Sequence, residues 1–267
     1  MLRRTMSEVK AGALSPSSLH GKVVLVTGSS SGIGRAIALR CARAGADLAV
    51  TYRNNHAGAD QILADARALG RRAVSLKIDI ADEEQIAELT QRLIQEFGRV
   101  DAWINNAGAD VLTGHGATLP RREKLDLLLS VDLRGTILAS WAAVALMKQQ
   151  PNGGSVINMS WDRATQGLAG ENPQLFSAVK GGVLSFSKAL ARSVAPRIRV
   201  NVLGPGWIET AFADVVEPRF KERVKESIPL KRWGTPEDVA EAAVFLASDA
   251  AAYLTGQMIQ INGGDVM

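Results

Sequence analysis

The chain has 267 residues, of which 46% are hydrophobic and 22% charged, the ordinary balance of a globular protein. Its 31 lysines and arginines are scattered against 27 acidic residues, so the charge of +4 predicts no nucleic-acid partner, which needs a concentrated basic patch. Cys41 is the only cysteine, which excludes an internal disulfide, argues against a metal site and favours a reducing, cytoplasmic location. No apolar run reaches about 18 residues, so no membrane partner is expected.

Short β-rich runs alternate with longer helical stretches after Gly21. Residues 1–20 are rich in Ser, Gly, Ala and Pro, which predicts a flexible extension rather than a secretory signal. The predicted strands are KVVLVTG, DLAVTY, AVSLKID, VDAWINNAG, SVINMS, RIRVNVLGPG and MIQING. The predicted helices cover 33–44, 57–69, a stretch from Asp82, 122–149, 174–194 and a stretch opening at Thr235, with a mixed region over 207–235.

This alternation predicts an α/β fold, a doubly wound Rossmann-type parallel sheet of about seven strands with helices on both faces. No linker interrupts the pattern, so residues 21–267 are expected to form one dinucleotide-binding domain. In such a sheet the ligand lies at the carboxyl ends of the strands.

A glycine-rich turn joins the first strand to the first helix. Its sequence, from Thr27 to Gly34, has the spacing G-x-x-x-G-x-G. Glycine backbone lets a pyrophosphate approach closely, and the helix N-terminus offers unpaired N–H groups. The alternative is a glycine-rich turn with no ligand.

Two later segments narrow the interpretation. Asn105-Asn106-Ala107-Gly108 ends the fourth strand, and Pro205-Gly206 ends the sixth, followed by Trp207-Ile208-Glu209-Thr210. In order and spacing, these motifs resemble the short-chain dehydrogenase/reductase superfamily in its form of roughly 250 residues, from Gly21 to the C-terminus.

The resemblance implies cofactor roles for particular residues. Gly28, Gly32 and Gly34 would form the diphosphate turn, with Ser30 and Ile33 in contact. Ser31 lies where many NADP-preferring relatives carry a basic residue. The remaining implied contacts are Asp79 and Ile80 at the adenine, Asn106, Ala107 and Gly108 along the cleft, Pro205 and Gly206 beside it, Ile208 and Thr210 at the carboxamide, and Lys180 at the ribose.

The end of the second strand bears on the choice between NAD and NADP. An acidic residue there accepts from a free ribose 2′-hydroxyl, whereas an arginine suits a 2′-phosphate. This chain reads Tyr52-Arg53-Asn54, which favours NADP(H). The alternative is that Arg53 is merely exposed.

The catalytic pattern of the family is broken. Ketone-reducing relatives use Asn, Ser, Tyr and Lys, the last two as Y-x-x-x-K on one helix. The matching positions here are Asp132, Trp161, Phe176 and Lys180. Only two tyrosines are present, Tyr52 and Tyr253, and neither lies in that helix.

Other carboxylates are therefore candidates for proton chemistry. Asp132 could pair with Lys180, in a working site or as a structural ion pair. Asp162 could act as an acid, or could be a loop carboxylate paired with Arg163. Asp110 and His115 are weaker candidates on a loop. Trp161, Phe176 and Trp207 are expected either to line an aromatic substrate pocket or to be core.

These observations predict an NADP(H)-dependent oxidoreductase whose small substrate, such as an imine or a conjugated ring, needs no tyrosine acid. The alternatives are an inactive NADP(H)-binding module and a non-redox enzyme with the same pocket. The resemblance also implies a homotetramer, with a dimer as the alternative, and a substrate lid around residues 207–230.

Overall fold

Seven strands pair into one parallel sheet in the computed structural model, which describes residues 18–267. Their order is β3-β2-β1-β4-β5-β6-β7, and every pairing is parallel. The strands are β1 Val23–Val26, β2 Asp47–Tyr52, β3 Ala73–Lys77, β4 Ala102–Asn105, β5 Gly154–Met159, β6 Ile198–Pro205 and β7 Met258–Ile261. The predicted fold class is confirmed.

The helices follow the predicted alternation. They are α1 Gly32–Arg43, α2 His56–Ala68, α3 Glu83–Phe97, α4 Gly114–Thr118, α5 Arg121–Leu128, α6 Thr136–Gln149, α7 Glu171–Val194, α8 Ala211–Val215, α9 Pro218–Ser227 and α10 Pro236–Ala247. Sequence-local caps set several starts. The Asp82 carboxylate accepts from two N–H groups of the first turn of α3, and Thr235 and Asp238 form a reciprocal capping box on α10.

One predicted helix differs from the observed structure. The stretch 122–149 is not a single α-helix, because a π-helical segment over Leu129–Gly135 separates α5 from α6. Asp132 lies in this segment and is 2% exposed. Such segments are frequent at functional sites, since they re-aim one side chain within an otherwise regular helix.

Helices cover both faces of the sheet, and strand residues alternate between the two layers. Val24 and Val26 face the cluster built on α1, α2 and α10. Leu25, between them, faces the cluster built on α3, α6 and α7. This period of two, buried on both sides, is why β1 reads as a continuous apolar run.

The helical run Arg121–Gln149 is long and apolar enough to cross a bilayer by length and composition, with a mean hydropathy of 1.4 over its most apolar window. Half of that window is buried inside the fold. Core helices share this composition, and α6 here packs against α3, α7 and the sheet.

The N-terminal end of the described fold lies inside the range predicted as an extension. Leu19 is completely buried, and its N–H donates to the Ala44 carbonyl at 2.8 Å. Residues 1–17 lie outside the described residues.

Candidate functional site

The glycine-rich turn is held against the end of β4 by a polar cluster. The Thr27 hydroxyl accepts from the N–H groups of Asn106 and Ala107, both at 3.0 Å. The Asn106 side-chain amide donates back to the carbonyls of Thr27 and Gly28, also at 3.0 Å. The two loops that the sequence assigned to one cleft are therefore directly bonded to each other.

The close contact between the glycine-rich turn and the loop after β4 leaves no room for a side chain at position 28. Gly28 has a φ of +61°, and a Cβ there would lie 2.7 Å from the Ala107 Cα. At the start of α1, Ser31 makes no side-chain capping bond, so it leaves the first N–H groups of the helix free of that partner. A close-packed turn that ends in a helix N-terminus fits the diphosphate of a dinucleotide. Gly28, Ser30, Ser31, Gly32, Ile33 and Gly34 all lie in this turn or the first turn of α1.

Arg53 follows β2 and Asp79 follows β3, at the end of the cleft where the adenine is predicted. The Arg53 guanidinium lies 3.9 Å from the Asp79 carboxylate, and both side chains are well exposed. Ile80 is buried next to Asp79, against Gly135 of the π-helical segment. An exposed guanidinium at this strand end could bind a 2′-phosphate, and to do so it would give up only its long contact with Asp79.

Asp132 and Lys180 form a buried ion pair. The Lys180 ammonium lies 2.8 Å from the Asp132 carboxylate, and their side chains are 11% and 2% exposed. The other Asp132 oxygen accepts from the Ala109 N–H at 2.7 Å. Lys180 also lies 3.4 Å from the Met159 carbonyl. The pair thus joins the loop after β4, the end of β5 and α7.

The three predicted pocket aromatics do not form one group. Trp161 and Phe176 lie side by side, with ring centroids 6.2 Å apart. Trp207 instead packs with Phe212, Phe220 and Trp233, at centroid distances of 5.5 to 6.3 Å. Trp207 therefore belongs to the aromatic cluster of the predicted lid, where three partly buried rings pack with the buried Trp233.

Asp162 lies on the β6–β7 side of the site. Its backbone N–H donates to the Pro205 carbonyl at 3.2 Å, and its carboxylate accepts from the Asn262 amide at 3.3 Å. A Cβ at position 206 would lie 2.9 Å from that carboxylate, so Gly206 leaves the space it occupies. The side chain is 1% exposed, and this burial raises the pKa of Asp162 to about 6, against the opposing Asn262 hydrogen bond.

Arg163 does not form an ion pair with Asp162. It forms its ion pair with Asp265, near the C-terminus, and both side chains are largely buried. The sequence-based alternative of an Asp162–Arg163 pair is wrong, because the C-terminal tail supplies the nearer carboxylate. Asp162 keeps a neutral hydrogen-bond donor, Asn262, in its place.

The loop candidates Asp110 and His115 form no hydrogen bond or ion pair with the Asp132–Lys180 pair: Asp110 bonds to residues of its own loop, and His115 is exposed. The Asp110 carboxylate accepts from the N–H groups of Leu112 and Thr113 at 2.9 and 2.8 Å, and from the Thr113 hydroxyl. These hydrogen bonds stabilise the turn that Asp110 begins. His115 is exposed on the short helix α4. Within residues 18–267, no three His, Cys, Asp or Glu residues are grouped to hold a metal ion.

The remaining predicted residues lie at the carboxyl ends of the strands. Pro205 and Gly206 end β6, and Ile208 is buried just before α8, beside Gly234. Thr210 precedes the first residue of α8. Asn106, Ala107 and Gly108 follow β4 directly. The topology thus gathers the predicted cofactor contacts along one edge of the sheet.

Comparison with known proteins assigns the family. The family model described as enoyl-(acyl carrier protein) reductase matches residues 28–265. The chain belongs to the short-chain dehydrogenase/reductase family. Members of this family are oxidoreductases that use nicotinamide cofactors.

Several short-chain dehydrogenases/reductases match nearly the whole chain. The 3-oxoacyl-(acyl-carrier-protein) reductase of Thermotoga maritima is 36% identical over 93% of this chain and 99% of its own. The L-rhamnose 1-dehydrogenase (NAD(P)(+)) of a Sphingomonas species is 36% identical, over 92% and 96% respectively. A crystal structure from Sinorhizobium meliloti 1021, assigned to the short-chain alcohol dehydrogenases, is 35% identical with a TM-score of 0.84, covering 94% of this chain and 98% of its own.

Sequence reasoning missed three polar residues of this short-chain dehydrogenase/reductase site. The Asn55 amide donates to the Ser30 carbonyl at 3.1 Å and so ties the start of α2 to the glycine-rich turn. Asn262 and Asp265 contact Asp162 and Arg163 from the other end of the chain. Asn55 carries a local signal, because asparagine before a helix is a common N-cap. The other two carry none, since their partners lie about 100 residues away.

Proposed function

We propose that this chain is an NADP(H)-dependent oxidoreductase that reduces an imine or a conjugated ring without a tyrosine acid. One observation carries the proposal. The tight glycine turn at Gly28 and the family lysine, Lys180, are present, whereas Trp161 and Phe176 occupy the two positions where the family resemblance implies hydroxyl groups. When bound, the reduced nicotinamide supplies a hydride.

The charge of the substrate explains why such a site needs no tyrosine. A ketone that accepts hydride becomes an alkoxide and needs a proton or an oxyanion hole. An imine that has taken up a proton from water is an iminium ion, and when its carbon accepts hydride the product is a neutral amine, so no protein acid has to act in that step. Trp161 and Phe176 offer π faces, which attract flat and cationic groups.

A conjugated ring needs one proton, and Asp162 is our candidate donor. Its carboxyl lies directly behind Gly206 at the end of β6, and its raised pKa of about 6 keeps part of it protonated near neutrality. Asp132 is the less suitable donor, because both of its oxygens are already engaged by Lys180 and Ala109.

Cofactor preference follows from Arg53. Its side chain is 56% exposed and its contact with Asp79 is long, at 3.9 Å, so the guanidinium is free to pair with a 2′-phosphate. NAD(H) offers no charge at this point, which is why we propose a preference for NADP(H).

An NADP(H)-binding module without turnover is the second candidate. The observation that favours it is the Asp132–Lys180 pair, which engages the family lysine through a carboxylate. Non-redox chemistry in the same pocket has no specific contact in its favour.

A helix face supports assembly. Trp141 of α6 is 55% exposed and Ile94 of α3 is 43% exposed, and both line an apolar groove between these two helices. We propose that a second copy of the chain covers it, within a cytoplasmic homotetramer. Light scattering of the protein and of Trp141→Glu tests this, with a smaller assembly expected for the variant.

Cofactor titration tests the main proposal first. NADPH and NADH fluorescence should report tighter binding of NADPH, and Arg53→Ala should weaken NADPH binding at least about tenfold while leaving NADH unchanged. Arg43→Ala, at an exposed position on α1, is the matched control. Failure to bind either cofactor would refute the oxidoreductase and the binding module together.

Turnover then separates the two candidates. A panel of cyclic imines, conjugated rings and ketones should give NADPH oxidation with the first two classes only. With conjugated rings the rate should fall as pH rises through about 6, and Asp162→Asn should remove this decline together with most activity. Asp126→Asn, exposed on α5, is the control. Binding without turnover of any class supports the module.

A further inference from the structure

The helical run formed by α5 and the π-helical segment Leu129–Gly135 runs in the same direction as α7, and the two meet at three matched levels. At one end Asp132 pairs with Lys180 at 2.8 Å. One turn earlier on each helix, Leu128 and Phe176 belong to the same apolar cluster. One turn earlier again, the Lys124 ammonium lies 3.4 Å from the Asn172 side-chain oxygen. The face of α7 that carries Phe176 and Lys180 therefore continues to Asn172.

Lys124 is unusual among these residues because it is a buried cation that has no ionic partner among the residues that the structure describes. It is 7% exposed, and no carboxylate oxygen of residues 18–267 lies within 4.0 Å of its ammonium. The only hydrogen bond that the ammonium donates to residues 18–267 goes to the neutral amide of Asn172, and at 3.4 Å it is long. Lysine is rarely buried in this way unless it is paired, since desolvating a charge is costly.

We propose that Lys124 and Asn172 bind a carboxylate carried by the substrate, an inference that rests on the proposed function. The ammonium has three donors and the Asn172 amide has two, enough to satisfy both oxygens of a carboxylate while the Lys124–Asn172 bond persists. A bound carboxylate would supply the opposite charge that the protein itself does not place there.

The spacing of Asn172 and Lys180 along α7 predicts the length of the substrate. Asn172 precedes Lys180 by eight residues, which is about 12 Å along the axis. Phe176, half-buried between them, offers an apolar surface for the connecting chain. The substrate class is therefore an imine or conjugated ring joined by an apolar spacer to a carboxylate, rather than a small uncharged ring.

Matched substrates test this directly. The probes are pyrrolines that carry an ω-carboxyalkyl chain of about four to eight methylenes, bracketing the 12 Å spacing, and their methyl esters. Wild type should favour acid over ester in kcat/KM by about tenfold or more, the size expected for a hydrogen-bonded charge. Lys124→Met should abolish the preference and Lys124→Arg should keep part of it.

Arg122→Met is the control, because it removes one exposed charge from the same helix and should leave the preference intact. Thermal unfolding without ligand provides a second measurement. Lys124→Met should be at least as stable as wild type, since it removes a buried unpaired charge. A destabilised Lys124→Met with an unchanged acid preference would overturn the proposal in favour of a structural lysine.

Calorimetry keeps this test separate from the proposed function. The NADPH-saturated protein is titrated with the corresponding pyrrolidine acids and esters, which cannot be reduced. Acid-selective binding that Lys124→Met removes supports the carboxylate site even if no pyrroline is turned over. Equal binding of acid and ester overturns it even if both pyrrolines are reduced.

Discussion

The carboxylate of Asp132 lies 2.8 Å from the ammonium of Lys180, inside a cleft where both side chains are nearly shielded from water. The second Asp132 oxygen holds the Ala109 N–H, so one side chain fixes both the lysine and the loop after β4. Removing one partner of such a buried pair destabilises the fold, because the remaining charge is left buried without a counter-charge.

Removing the carboxylate should therefore destabilise the fold. We expect Asp132→Ala to lower the free energy of unfolding by about 3 kcal/mol, because Lys180 is left buried without its counter-charge. Asp132→Asn should cost less, since the amide oxygen still accepts a hydrogen bond. Urea denaturation at neutral pH measures both, with Asp126→Asn as an exposed control. Equal stability of Asp132→Ala and wild type would contradict the buried pair.

Asp162 should make the fold less stable as the pH rises. Its ordinary pKa of 3.8 applies to the unfolded chain, whereas burial raises the folded value to about 6. Between these values the unfolded chain loses its proton and the folded chain keeps it, so stability falls with rising pH and the loss is complete above about 6. The expected loss is on the order of 3 kcal/mol, because the two pKa values differ by about two units.

Asp162→Asn should remove this part of the pH dependence. The variant should be more stable than wild type at pH 8 and similar to it near pH 4, in urea denaturation at each pH. Asp214→Asn, an exposed carboxyl of α8, should follow the wild-type curve. A variant that stays parallel to wild type throughout would show that Asp162 is not protonated by burial.

Gly28 offers a test of the cofactor turn. We expect Gly28→Ala to abolish NADPH binding and to destabilise the fold, because its Cβ would lie 2.7 Å from the Ala107 Cα in addition to the cost of a φ of +61°. Gly70→Ala isolates the second effect, since Gly70 has a φ of +73° with nothing within 4 Å. That control should lose only about 1 kcal/mol and keep its NADPH affinity. Equal losses in the two variants would mean that close approach plays no part.

The sequence predicted which segments lie at the carboxyl edge of the sheet, because the signals for those segments are local. The glycine spacing, the Pro205-Gly206 turn and the Asn106–Gly108 segment each lie within a few residues of a strand end. Parallel topology alone then gathers them. The parallel sheet of about seven strands follows from the same strand–helix alternation, whereas the order of its strands was not predicted and is seen only in the structure.

Contacts between distant residues could not be read in this way. Asp162 could have turned towards Lys180 or towards β7, and only the packing of Asn262 and Gly206 decides for β7. The position of Trp207 after β6 is also typical of a pocket residue, yet Trp207 packs into a cluster with residues of α8 and α9. Lys124 gave no signal in the sequence, because its burial depends on the matched register of α5 and α7.

Cys41 should be inert in the folded protein. It is completely buried among α1 and its apolar neighbours, and this burial raises the pKa of its thiol to about 12, despite the nearby Arg40. Because the thiolate is the reactive form, a disulfide reagent at pH 8 should label no thiol in native protein and one per chain in urea. Cys41→Ala, which has no thiol, sets the background. Rapid labelling of native protein would instead place Cys41 at the surface. The variant Cys41→Ser should lose about 1–3 kcal/mol of its free energy of unfolding, because it buries a hydroxyl in an apolar layer.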